Sequence, residues 1–192
     1  MLEHFNGKRK APVLPWSFFT LTMPESFMPV LDFVRAHQGW APFIVFCLAF
    51  GESLAFLSLL IPATVLLWGI GAMAGASGIE FLPMWFGAFM GAVLGDWLSY
   101  WLGYHYHDQI ARMWPLKNHP QLITRGHAFF EKYGAPGVFF GRFIGPLRAT
   151  VPLAAGACTM PQIPFQIANV LSGAAWAFLT LAPGTLGIQM AM

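Results

Sequence analysis

The sequence predicts an all-α integral membrane protein: two re-entrant, broken helical hairpins plus transmembrane helices, arranged as a pseudo-symmetric inverted repeat. Three observations predict it. The first is composition: 57% of the 192 residues are hydrophobic and only 9% charged, against roughly 25% charged in an ordinary soluble domain. Eight acids and ten bases cannot clothe a core of this size in a polar shell, so lipid has to replace water over most of the surface. The second is interruption, since two of the long apolar stretches are broken by proline, glycine and ionisable residues. The third is repetition. An amphipathic piece, a broken apolar segment with an ionisable residue, and a plain span occur in residues 26–106 and again in 119–192. Paired interruptions in two halves of a chain point to a transport site at the interface between the repeats.

Taken in order, residues 1–25 are mixed and Pro-containing and are expected to form a loose N-terminal tail, with 26–192 as a single membrane domain. Lys8, Arg9 and Lys10 are not followed by the clean apolar run and small-residue cleavage site of a signal peptide, so none is expected. From Ser26 to His37, Phe27, Val30, Leu31 and Val34 fall at helical spacing opposite Asp32 and Arg35, which predicts an interfacial amphipathic helix. Ala41 to Ala76 is almost uncharged but too long for one span of about 20 residues, and Glu52 and Pro62 interrupt it. A broken, re-entrant segment is the expectation.

Leu82 to Tyr106 has the length of one tilted crossing. Gly87, Gly91 and Gly95 give it a smooth face, which predicts close packing of another helix of the same chain. His107 to Lys132 is polar and is expected to be a partly helical loop. Gly134 to Met160 is broken again, by Pro136, Gly145, Pro146 and Pro152, and carries Arg142 and Arg148. Ile163 to Met192 is apolar and supplies another span. The positive-inside rule places Lys8–Lys10 and the Arg112–Lys132 loop on the cytoplasmic side, with an even number of crossings between them.

The chemistry rests on charges inside apolar segments: Glu52, Asp96, Arg142, Arg148 and, less deeply, Glu80. A charged side chain at the bilayer centre costs roughly 2.5–3.5 kcal/mol on the lenient insertion scale, so the first four must face one another or water. Two acids and two arginines balance, and the expectation is one cavity lined by all four. Arg142 and Arg148 would diverge on a straight helix, but Gly145 and Pro146 break it between them. Asp96 shares a helix face with Tyr100 and Gly103. Two guanidinium forks beside unwound backbone suit a phosphate. Glu52 in apolar surroundings would suit a proton carrier unless an arginine compensates it. Charged residues within a membrane are functional by default, although each pair could instead only pin the hairpins together.

The segments Glu52–Leu67 (ESLAFLSLLIPATVLL), Gly95–Gly103 (GDWLSYWLG) and Gly141–Gly156 (GRFIGPLRATVPLAAG), followed by Met160, Phe165, Asn169 and Trp176, resemble the DedA family, also called the SNARE-associated or VTT-domain family. The resemblance covers about residues 40–185. It implies a multi-pass protein of the bacterial inner membrane with two opposed re-entrant helices, implicated in lipid flipping, notably of undecaprenyl phosphate, and in proton-motive-force homeostasis. It also implies functional roles for Glu52, Arg142 and Arg148, with Asp96 in the family's Gly-Asp motif. Many members carry Pro-Gly-acid where this chain has Pro62, Ala63 and Thr64, and members often continue into a further span beyond the position of Met192.

The combined expectation is a flippase for an anionic lipid phosphate, undecaprenyl phosphate or a phospholipid headgroup, with proton coupling. Arg142 and Arg148 would hold phosphate, Glu52 and Asp96 would supply counter-charge and exchange protons, and Pro62, Thr64, Tyr100, Gly145 and Pro146 would support them. A proton or ion transporter for membrane-potential homeostasis and a non-transporting scaffold are the alternatives. No enzyme activity is expected, because a membrane phosphatase needs a nucleophile, general acid or metal in the same site. No cofactor or metal is expected either. His105 and His107, two apart on a helix, do not face one site. The expected partners are membrane lipids and a coupling ion, with a homo-oligomer left open and nucleic acid excluded by a net charge of only +2 spread over short segments.

Overall fold

The computed structural model describes residues 28–54, 63–77, 79–112, 121–145 and 147–191, and every regular element among them is helical. The helices are α1 (Met28–Ala36), α2 (Ala41–Ser53), α3 (Ala63–Ser77), α4 (Phe81–His105), α5 (His107–Arg112), α6 (Gln121–Gly141), α7 (Leu147–Ala157) and α8 (Gln162–Ala191). Two are long and apolar enough to cross a bilayer, Phe81–His105 and Gln162–Thr185. At 1.5 Å per residue, α2 and α3 extend only about 20 Å each, short of the roughly 30 Å hydrocarbon core.

Local sequence sets the breaks. Pro42 occupies the first turn of α2, where its missing N–H costs no hydrogen bond. In α6 the chain kinks at Gly134, with φ 50° and ψ −132°, a conformation essentially reserved for glycine. The expected polar loop is therefore helical from Gln121 onward. Its first part carries exposed Arg125, Glu131 and Lys132, and the part beyond the kink buries Val138.

The two long helices run antiparallel. Phe81 meets Phe178 edge to face at 5.8 Å, the Trp85 indole Nε1–H donates to Ala174 O at 3.2 Å, and Tyr100 stacks on Phe165 at 4.2 Å. In contrast, α2 lies parallel to α4. A Cβ on Gly87, Gly91 or Gly95 would collide with the carbonyl oxygens of Pro42, Phe46 and Phe50 respectively. The glycine face is thus filled from within the chain, as its spacing predicted. Two further crossings use the same device. Gly103 and Gly156 bring α4 against α7, and Gly75 and Gly184 bring α3 against α8.

Polarity is inside out. Trp68, Leu82, Phe86, Ile163, Leu171 and Leu179 are exposed, while Glu52, Asp96, Arg142, Asn169 and Ser172 are buried, the arrangement of a protein whose solvent is lipid. The apolar core divides into two clusters. One gathers Val45, Leu67, Ile70, Met84 and Leu181, the other Tyr100, Phe130, Ala155 and Phe165. Along α4, Asp96 falls between them. Along α8, Asn169 and Ser172 do the same. Between residues 38 and 106, α4 is the one described helix long and apolar enough to cross. The even number of crossings expected between the basic segments turns also on residues 1–27 and 55–62, which lie outside the described ones.

Candidate functional site

The four intramembrane charges form two ion pairs. Arg148 Nη1 donates to Glu52 Oε1 at 2.7 Å, joining the start of α7 to the end of α2. Arg142 Nη2 donates to Asp96 Oδ2, joining the tip of α6 to the middle of α4. Each arginine is held by a different acid, so the four charges expected around one cavity are arranged as two neighbouring ion pairs.

In the Asp96–Arg142 centre both Nη groups of the arginine are occupied. Arg142 is 4% exposed, as is Asp96. Its Nη1 donates to Asn169 O and to Ser172 Oγ, both at 3.1 Å, and its Nη2 also reaches Ala92 O at 3.4 Å. Asn169 in turn donates from Nδ2 to Val93 O at 3.0 Å. Gly173 leaves room for the guanidinium, since a Cβ there would come within 2.8 Å of Arg142 Nη1. Chemically this is a strut that ties α4, α6 and α8 together. A ligand binding either Nη group would have to displace one of these bonds.

The Glu52–Arg148 centre is incomplete. Thr64 Oγ1, from the first turn of α3, donates to Glu52 Oε1 and accepts from Arg148 Nη1 at 3.3 Å. The guanidinium lies over the Trp176 ring, 4.1 Å from its centroid, which fixes its plane. Arg148 Nε and Nη2 are buried and have no hydrogen-bond partner among the described residues, and Glu52 Oε2 is in the same state. Nε and Nη2 form the side-on fork of a guanidinium, the edge that binds two oxygens of one oxyanion. Buried donors left unpaired are costly, and an unmet need of this kind marks a place for a ligand.

Other expected residues fall as follows. Tyr100 turns away from Asp96, and its hydroxyl donates to Met160 O at 2.6 Å. Ser99 instead serves the region of the acids, donating to Ser53 O at 3.1 Å and so satisfying a carbonyl at the end of α2. Gly145 sits in an exposed turn where an added Cβ would meet nothing within 4 Å, and Glu80 precedes α4 at an exposed position. Pro62 and Pro146 lie outside the described residues.

The site roles of Asn169, Ser172 and Trp176 were missed from the sequence. Their signal is the spacing i, i+3, i+7, a polar and aromatic stripe on one face of an otherwise apolar span.

Residues 61–186 match the VTT domain. The chain is 31% identical over 154 residues to inner membrane protein YabI of Escherichia coli strain K12, an overlap of 80% of this chain and 61% of that one. An uncharacterized membrane protein of Buchnera aphidicola (subspecies Baizongia pistaciae) is also 31% identical over 154 residues, with coverage of 80% and 60%. The uncharacterized membrane protein Rv2637 of Mycobacterium tuberculosis strain H37Rv is 36% identical over 96 residues, covering 50% of this chain and 44% of its own. The chain spans about three fifths of the length of the first two relatives. No solved structure matches it.

Proposed function

This chain belongs to the VTT-domain (DedA) family of membrane proteins, and from that membership and its buried ion pairs we propose that it transports an anionic lipid phosphate across the bacterial inner membrane. The observation that carries the reading is the side-on fork of Arg148, buried and unpartnered among the described residues. A phosphate offers two oxygens at the matching spacing, and charge-assisted hydrogen bonds to it would satisfy both donors. Undecaprenyl phosphate and a phospholipid headgroup share that chemistry. Arg148 is then the phosphate-holding residue and Glu52 its counter-charge. Arg142 and Asp96 hold the frame in which that exchange takes place.

We further propose that α2–α3 and α6–α7 are re-entrant hairpins entering from opposite faces, related as an inverted repeat. The register supports this. The α2 helix starts beside the first turns of α4, at Gly87, and ends near Gly95, while α3 runs back along α8 in the opposite sense to α4. The α6–α7 pair reaches Asp96 with Arg142 and returns to Tyr100 with Gly156. Each hairpin's return helix packs on the long helix of the other half, α3 on α8 and α7 on α4. The Arg148–Glu52–Thr64 contact is where the two tips approach.

Coupling to protons is the second reading, and one observation favours it. Glu52 Oε2 is buried and without a donor among the described residues, an acceptor that a proton would satisfy. Both readings are tested in proteoliposomes containing fluorescent undecaprenyl phosphate or ordinary phospholipids, with and without a pH gradient. Arg148→Ala is expected to slow lipid-phosphate flipping about tenfold or more, the loss that corresponds to roughly 1.5–3 kcal/mol of charged hydrogen bonding. Glu52→Gln is expected to abolish any dependence on the gradient. Folded wild-type protein that flips no lipid but moves protons would replace lipid transport with ion transport. Phosphate release from the lipid would make the protein an enzyme.

A further inference from the structure

A concavity lies on the C-terminal side of Asp96, where the last turns of α4 meet the turn between α7 and α8. Its volume is about 210 Å³, and its walls include Trp97, Trp101, Tyr104, Thr159 and Gln162. Sites that take a drug-sized molecule run to roughly 300–1,000 Å³, so this one fits a fragment such as a single headgroup.

The turn that forms one wall has an uncommon residue at its centre. Met160 N–H bonds to Ala155 O at 3.0 Å and Thr159 N–H to Gly156 O at 2.9 Å, the paired bonds of a Schellman helix end. The residue between them must be left-handed, and Thr159 is, with φ 53°. Glycine normally holds that position, and a β-branched side chain there is strained. Among the described non-glycine residues, Thr159 is the only one with a positive φ. Its side chain is exposed and lines the concavity. Backbone strain of this kind clusters at ligand sites, which directs attention to the contact the Thr159 side chain can make.

The lining narrows the ligand class. It contains no carboxylate, lysine or arginine. It offers aromatic rings, with Trp97 and Trp101 each about two-fifths exposed, together with hydrogen-bonding groups: the Thr159 hydroxyl, the Gln162 amide, the Tyr104 phenol, two indole N–H groups and the imidazole of His105, whose Nδ1 lies 3.0 Å from Trp101 O. Rings that cover apolar C–H faces, beside hydroxyl, amide and indole groups, suit a polyhydroxylated ring, and no carboxylate, lysine or arginine stands by as a fixed counter-ion for a fully charged headgroup. The location, at one end of a membrane-crossing helix, is where lipid headgroups sit.

We propose that this concavity binds an uncharged sugar, presented as the headgroup of a membrane glycolipid. The site does not depend on the Arg148 reading, because none of Glu52, Asp96, Arg142 and Arg148 lines it.

The test uses full-length protein in nanodiscs of phosphatidylcholine doped with glucosyl diacylglycerol of the same acyl chains, with retained lipid counted by native mass spectrometry. Wild type is expected to retain the glycolipid over phosphatidylcholine by roughly tenfold, and Trp101→Ala to lose the preference. Thr159→Gly separates binding from folding. It removes the side chain but relieves the backbone, so the melting temperature should hold or rise while the preference disappears. Competition by free methyl glucoside at low concentration would identify a soluble sugar as the ligand, whereas its failure to compete would identify the glycolipid. A wild type without preference, or Thr159→Gly binding as well as wild type, would overturn the site.

Discussion

Removing the Arg142 guanidinium would leave Asp96, 4% exposed, buried without its counter-charge, a situation that costs roughly 3–5 kcal/mol. Arg142→Ala should therefore fail to accumulate, or melt far below wild type. The double variant Arg142→Met, Asp96→Leu should recover much of the lost melting temperature, because a packed apolar pair often matches a buried ion pair in stability. Arg148 responds differently. Arg148→Gln also takes the counter-charge from Glu52, 7% exposed, but it removes two buried donors that lack partners among the described residues, so it should lower the melting temperature less than Arg142→Ala and affect transport more. Thr64 supplies a finer probe, since its hydroxyl sits between Arg148 and Glu52. Thr64→Val keeps the shape and loses one hydrogen bond worth about 0.5–1.5 kcal/mol. It should slow lipid flipping several-fold in proteoliposomes, and Thr64→Ser should restore it. That acids would pair with arginines was legible from the charge count. Which acid takes which arginine was not, because it depends on the face from which each hairpin approaches α4.

At the scale of elements, the contacts that hold the bundle are backbone against backbone, as expected where lipid removes the hydrophobic drive for helix association. Gly91 faces the Phe46 carbonyl across the α2–α4 contact, and no side chain can move aside to admit a new methyl. Gly91→Ala should cost about 1–3 kcal/mol, seen as a lower melting temperature in detergent. Gly39, with nothing within 4 Å of an added Cβ, is the control and should tolerate alanine. The every-fourth-residue spacing of Gly87, Gly91 and Gly95 made this face visible in the sequence. The α4–α7 crossing was not visible, because Gly103 and Gly156 meet as single residues from segments far apart in the chain. The helix over Gln121–Gly141 was only partly visible: its charges read as a partly helical loop, and Gly134 concealed the continuity by turning the chain without ending the helical run.

For the whole molecule, the antiparallel register of α4 and α8 fixes which segments share a face of the membrane. Glu80 and Gly39 lie at the end where α4 and α2 begin, and His107 and Gln162 lie at the other. With Cys47 and Cys158 replaced, single cysteines at Gly39 and Glu80 should react with an impermeant maleimide from one side only. Cysteines at His107 and Gln162 should react from the opposite side. By the positive-inside rule Arg125 and Lys132 would put that second side in the cytoplasm. Labelling of His107 and Gln162 from different sides would break the antiparallel pair and, with it, the return of the α6–α7 hairpin to the face it entered. Labelling as expected would leave α2–α3 and α6–α7 each beginning and ending on one face, with Glu52 and Arg148 brought together from opposite directions. A phosphate released from that contact could then leave toward either side, because each hairpin opens to a different one. Alternating access would require no more than a small tilt of one hairpin against the other.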